Sequence, residues 1–247
     1  MSRNFELMTQ LELQAGVIDK PKPDAPDRAA AIQVVPILSG HAGSASGEEI
    51  LRLIQRIFLS ANGSAPRQVV LCGVDGENSS SSVCAMAGRT LAANSSRPVC
   101  VVDANVRSPR LSGMFGVEGK NLFSGPTAAL RDQCVKIGSN LWLAGPNILA
   151  DDSQVLLPPD QLKERLAQLR EMFEYMLIDA PGTSVCGDAQ LLGLVADAAI
   201  LVIEANSTRR LTARKAKETL EAAGIRLLGT VLSNRSFPIP EGLYKRL

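Results

Sequence analysis

Three short stretches place polar residues directly after apolar runs, the position at which open parallel sheets do their ligand chemistry. The first, GVDGENSSSS, follows the run at 68–74 and feeds a helical stretch. A Gly/Ser-rich turn between a strand and a helix is where a phosphate-binding loop belongs. Its pattern, Gly-x-Gly-Lys-Ser/Thr, falls on residues 76–80. Gly76 and Ser80 keep their types, whereas Asn78 replaces the second glycine and Ser79 the lysine. Backbone amides and a helix dipole over Gly76, Glu77, Asn78, Ser79, Ser80 and Ser81 still suit a phosphate anion, with the Ser80 hydroxyl placed for magnesium. The charge that matters most in phosphoryl transfer is missing, and losing one such preorganised donor costs about 3–4 kcal/mol. No other lysine lies between Lys22 and Lys120, and Val74 stands where a second, earlier lysine would fall. An ordinary strand–turn–helix with serine caps accounts for the same residues.

The second stretch, VCVVDANVRSPR, ends a strand in Asp103, a natural metal or water-orienting group beside a bound phosphate. Arg107 and Arg110 come next, within reach of phosphate oxygens; a turn with a capping aspartate is the alternative. The third, YMLIDAPGTSVCGDAQLL, presents Asp179 at the end of four apolar residues, as a magnesium-shell acid is presented. Pro181 and Gly182 are expected to start a mobile loop and Asp188 to cap the next helix.

The elements that must position these groups are legible as alternating apolar runs and helical stretches. Runs occur at 68–74, 99–105, 141–144, 175–180, 198–204 and 227–232. Helical stretches occupy 80–93, 161–173, 188–195 and 208–223, and an earlier one places Ile50, Leu53, Ile54, Ile57 and Phe58 on one face. Continuous apolar strands separated by helices predict an α/β fold with a mostly parallel central sheet covered on both faces. Organisation is expected as an N-terminal helical segment (1–16), a Pro-rich flexible linker (17–46), the compact domain (47–236) and an irregular tail (237–247).

Composition narrows the function classes. In 247 residues, 45% are hydrophobic and 21% charged, and 26 Lys+Arg balance 25 Asp+Glu, so no global charge demands a nucleic-acid partner. Five cysteines without a Cys-x-x-Cys pair, and the single His41, argue against a zinc site, a disulfide framework or a histidine triad. The cysteines read as buried thiols, Tyr175 as a packed side chain. No apolar run approaches the ~20 residues of a membrane-spanning helix, and the start is too polar for a signal peptide, which predicts a soluble, cytoplasmic protein.

In order and spacing, these motifs resemble the bacterial tyrosine kinases of capsular and exopolysaccharide biosynthesis (CpsD/CapB-like), P-loop proteins related to the MinD/ParA ATPases. The resemblance runs from about residue 47 to 234: GVDGENSSSS for Walker A, VVDANVRSP for the family's second acidic motif, YMLIDAPG for Walker B. It implies ATP and Mg²⁺ as cofactors, with Ser80, Asp103 and Asp179 toward the metal, Asp103 and Arg107 toward catalysis, and Asn234 toward the base. Glu49-x-x-Arg52-x-x-Gln55-Arg56 resembles the oligomerisation motif Glu-x-x-Arg-x-x-Arg with its last arginine displaced by one, which implies an interface at Glu49, Arg52 and Arg56.

The departures matter equally. The phosphate lysine is Ser79, the second acid of the second motif is Asn105, and in place of a tail tyrosine cluster there is Tyr244 alone. The expectation is a catalytically impaired, kinase-like regulator or scaffold. It would dock to the cytoplasmic segment of a membrane polysaccharide co-polymerase or to a kinase paralogue, peripheral to the inner face of the membrane, and form homo-oligomers. The alternatives are an active tyrosine autokinase, with Arg107, Arg89 or a neighbour's arginine in the lysine's place, and a MinD/ParA-like spatial-organisation ATPase. The last would use a basic patch of Arg209, Arg210, Arg214, Lys215 and Lys217, read otherwise as a solvated face.

Overall fold

A computed structural model describes residues 33–36, 44–58, 65–75, 79–117, 130–150, 155–184 and 187–234. All of these lie in one compact unit, which begins at Ile32. The domain therefore starts well before residue 47. Four residues of the stretch read as linker, Gln33–Pro36, form an edge strand, β1. Local pattern gave no sign of it: β1 is held by parallel pairing with the last strand, Gln33 opposite Gly229 and Val35 opposite Val231. Pro36 is tolerated because an edge strand leaves one set of backbone donors unused.

The remaining strands are β2 (Gln68–Gly73), β3 (Val99–Asp103), β4 (Cys134–Lys136), β5 (Leu141–Ala144), β6 (Tyr175–Ala180), β7 (Ala198–Glu204) and β8 (Leu227–Ser233). They form one sheet in the order β1-β8-β7-β2-β6-β3-β5-β4, parallel throughout except for the β4–β5 pair. β2 and β3 are buried along their whole length, as expected of central strands covered on both faces.

Helices α1 (Ser44–Phe58), α2 (Ser79–Asn94) and the short α3 (Leu111–Phe115) cover one face with Ile54, Leu91 and Leu111. Helices α4 (Pro159–Met172), α5 (Asp188–Val195) and α6 (Arg210–Ala222) cover the other with Leu166, Leu192 and Leu220. The expected three-layer α/β fold is thus observed, with α3 and β4 added. The apolar spacing of α1 buries Ile50, Leu53, Ile54, Ile57 and Phe58, and the Phe58 ring meets Tyr175 edge-on at 5.4 Å.

α2 is built largely of Ser, Ala, Gly and Cys, so it can lie close to the sheet. At Gly88 a Cβ would fall 2.3 Å from Val101 Cγ2, so only glycine permits this approach to β3. The amino end of this helix carries Ser80 and Ser81, whose hydroxyls act on Asp179 at the carboxyl end of β6. Cys72, Cys84, Cys100 and Cys134 are buried free thiols, as expected; Cys186 lies outside the described residues.

Candidate nucleotide and metal site

β2 sits where the chain's connections diverge, leading through α2 to β3 on one side while α5 leads to β7 on the other. That is the switch point at which open α/β sheets bind ligands. The edge here is closely tied. Ala104 N donates to the Asp179 carbonyl at 2.9 Å, and Thr183 N to the Gly73 carbonyl at 2.9 Å. Ser184 N and Thr183 Oγ1 both reach the Val74 carbonyl, at 3.1 and 3.3 Å. The segment after β6, expected to open a mobile loop, instead begins with buried Pro181 and Gly182 and is fastened to the end of β2.

Asp103 and Asp179 are register partners across β3 and β6 and lie on the α2 side of the sheet. Burial pushes Asp179 up to about 7; the Ser81 and Ser80 hydroxyls pull it down and the Asp103 charge pushes it further up. Neither Asp179 oxygen, both buried, has a hydrogen bond of regular geometry. Asp103, equally buried, is raised to about 6, again chiefly by desolvation. It is well partnered: Oδ2 accepts from the Arg110 and Leu111 amides, each at 3.0 Å, and Oδ1 from Asn105 N at 3.3 Å. The capping alternative thus describes Asp103's present bonds, since it closes the amino end of α3 from seven residues away. Cys84, one turn along α2 from Ser80, also faces the two acids, whose charge adds to burial in raising its thiol.

Two unpartnered carboxylate oxygens beside serine hydroxyls and a second acid are hard oxygen donors, the set a magnesium ion accepts. The residues present fit such an ion, through Ser80, Asp179 and Asp103. Among the described residues, no group of three or more His, Cys, Asp or Glu forms an all-protein metal cage. Among the described residues, no Lys or Arg acts on either carboxyl.

The other expected site residues divide. Gly76, Glu77, Asn78 and Tyr244 lie outside the described residues. Ser79 is half-exposed at the start of α2. Arg107 is exposed in the turn after β3. Arg89, one of the arginines considered for the lysine's role, is engaged elsewhere: its Nη2 donates to the Met114 carbonyl at 2.7 Å and its guanidinium lies 4.9 Å over Phe115. Asn234 follows β8 in the left-handed region (φ 55°), and its Nδ2 donates to Glu204 Oε1 at the end of β7. Glu204 is a neighbour no sequence spacing announced. Arg52 is exposed on α1 and pairs with Glu48 at 3.6 Å; Arg56 is exposed and Glu49 half-exposed. Asp188 does not cap α5: Gly187 occupies the cap without a side-chain bond, and Asp188 stands in the first turn.

No family model matches the chain. Over 152 residues it is 28% identical to tyrosine-protein kinase YwqD of Bacillus subtilis, covering 58% of this chain and 62% of that protein. Tyrosine-protein kinase CpsD of Streptococcus agalactiae is 28% identical over 142 residues, 55% of this chain and 61% of the relative. The chain thus matches less than two thirds of the length of either relative. The kinase domain of Escherichia coli tyrosine kinase ETK superposes with a TM-score of 0.67 at 14% identity, over 89% of this chain and 98% of that domain. MinD of Aquifex aeolicus gives 0.56 at 19%, over 73% of this chain and 72% of that one.

The fold, a mostly parallel sheet between two layers of helices, is that of the P-loop NTPase-like MinD and of the ETK kinase domain. Both of the curated relatives it resembles in sequence are named tyrosine-protein kinases, the class its motifs resembled.

Proposed function

We propose that this chain is a catalytically impaired member of the kinase class, acting as a regulator or scaffold of polysaccharide assembly. It would dock to the cytoplasmic segment of a membrane co-polymerase or to an active paralogue. The observation that carries this reading is the uncompensated acid pair. Asp103 and Asp179 lie side by side and buried, which supports a magnesium site, while Ser79 stands in place of the lysine and no described cation faces them.

A bound magnesium ion would neutralise phosphate charge. The chain's own residues would supply Ser80 and Asp179 as oxygen ligands and Asp103 beside them, and the first-turn amides of α2 would face an anion. Among the described residues no cation stands in for the lysine's transition-state charge, whose loss lowers the rate by about 10²–10³. Arg89 cannot take its place without leaving Met114 and Phe115. Glu49, Arg52 and Arg56 remain the proposed oligomer or partner contact, since α1 turns its apolar side inward and this side outward.

The test is Mg·ATP calorimetry on the chain and on Ser79→Lys. Weak or absent binding by the native chain, with binding gained in the variant, is expected. Phosphotyrosine at Tyr244 should be absent under conditions where a related kinase labels itself. Tight binding with labelling lost in Tyr244→Phe would establish an active autokinase instead.

A further inference from the structure

We propose that the amino-terminal half of α6 is a docking surface for an anionic phospholipid bilayer. The sequence around Arg209, Arg210, Arg214, Lys215 and Lys217 has a bland explanation, cations offset by Glu218 and Glu221 on a solvated face. The structure divides that set. Arg214 Nε bonds Glu218 Oε1 at 2.7 Å and Lys217 Nζ bonds Glu221 Oε2 at 2.8 Å, which uses both acids. Arg209, Arg210 and Lys215 are exposed, and among the described residues none has an acidic partner.

Leu211 stands among them, 81% exposed, the most exposed large apolar side chain described. The inward side of α6 is anchored by Ala216 and Leu220. Positions 211, 214, 215 and 218 share the outer side at helical spacing, so Leu211 stands beside Lys215 and the Arg214–Glu218 pair, with Arg209 and Arg210 at the amino end of the helix.

A lone leucine on a convex helix has no groove to receive a partner's side chain, and it offers nothing to a nucleic-acid phosphate backbone. A fluid bilayer needs no preformed groove. Its acidic headgroups take the arginines and lysine while its acyl boundary takes the leucine. No described helix is long and apolar enough to cross a membrane, so contact through this surface is peripheral. The surface is built without Ser80, Asp103 or Asp179 and does not depend on nucleotide.

The test is co-sedimentation of the full chain with vesicles of phosphatidylcholine alone, or mixed with phosphatidylglycerol, at about 0.05 and about 0.3 M salt. Binding to the mixed vesicles only, weakened by salt, is expected. Arg209→Glu/Arg210→Glu/Lys215→Glu should weaken it about a hundredfold. Leu211→Asp should weaken it about tenfold; since that side chain touches little protein, far-UV circular dichroism and Tm should stay unchanged. Emission of Leu211→Trp should shift to the blue on mixed vesicles, read against Trp142. Failure to sediment with mixed vesicles at low salt overturns the proposal. So does duplex-DNA binding that the triple variant abolishes and Leu211→Asp leaves intact, which would make the patch a phosphate-backbone surface.

Discussion

Asp103 and Asp179 lie side by side on β3 and β6, buried beneath the first turn of α2, yet only Asp103 has its oxygens satisfied. The asymmetry arises from the different paths the chain takes beyond the two strands. After β3 the chain turns back so that α3 offers two amides to Asp103; after β6 it runs to the end of β2 and gives Asp179 nothing. Of the two, Asp179 therefore has the less satisfied carboxylate, with only the Ser80 and Ser81 hydroxyls near it.

Stability should respond to pH in a specific direction. Both acids are raised in the folded state, to about 7 and about 6 from an ordinary 3.8, so the folded chain binds more protons than the unfolded one between those values. The ligand-free protein should gain on the order of 2–4 kcal/mol as pH falls from about 7.5 to about 5. Urea melts across this range check it; a flat profile would show that the two acids are not in the described environment.

Asp179→Asn should stabilise the ligand-free chain near neutral pH, because it removes the charge that burial opposes, and should flatten that pH profile. Added magnesium should raise the Tm of the native chain at about pH 7.5 and not that of the variant. Differential scanning calorimetry with and without the ion reads both effects.

Asp103→Ala should act differently. It removes the acceptor for the Arg110 and Leu111 amides, costing about 1–2 kcal/mol, and loosens α3. Arg89→Ala should loosen the same helix from the other side, through Met114 and Phe115, by about 1 kcal/mol. Hydrogen exchange at residues 111–115 should rise in both variants while α4 stays protected.

Gly88→Ala should be destabilising despite alanine's higher helix propensity. The new methyl would meet Val101, and overpacking costs about 1–3 kcal/mol. Chemical denaturation gives the value; a stabilised variant would contradict the close approach of α2 to β3.

Asp197 supplies the opposite pH sign. Burial raises it, but the Arg170 guanidinium at 2.7 Å and the Gln68 and Arg67 amides outweigh this and hold its carboxyl below the ordinary value. Its contribution is present above the unfolded pKa near 3.8 and lost as pH falls through the lower folded value. Asp197→Ala should cost about 1–3 kcal/mol near pH 7 and remove part of the acid unfolding seen below about pH 4.

The amino-acid sequence by itself determined the central sheet and the ends of its strands. Fully buried parallel strands must be continuously apolar, so runs such as 68–74 and 175–180 declare themselves, and an acid that closes such a run stands out. Asp103, Asp179 and Ser80 were legible for that reason, and the missing lysine with them. Pairing across the chain was not. β1 is extended only because β8 lies beside it, and strand order alone makes Asp103 and Asp179 neighbours. The capture of Arg89 by Met114 and Phe115 and the bond from Asn234 to Glu204 also join residues distant in sequence. Local periodicity records which face a residue turns to the core. Which partner it finds there is decided by tertiary packing, because hydrogen bonds and close approaches between distant segments leave no repeat in the sequence.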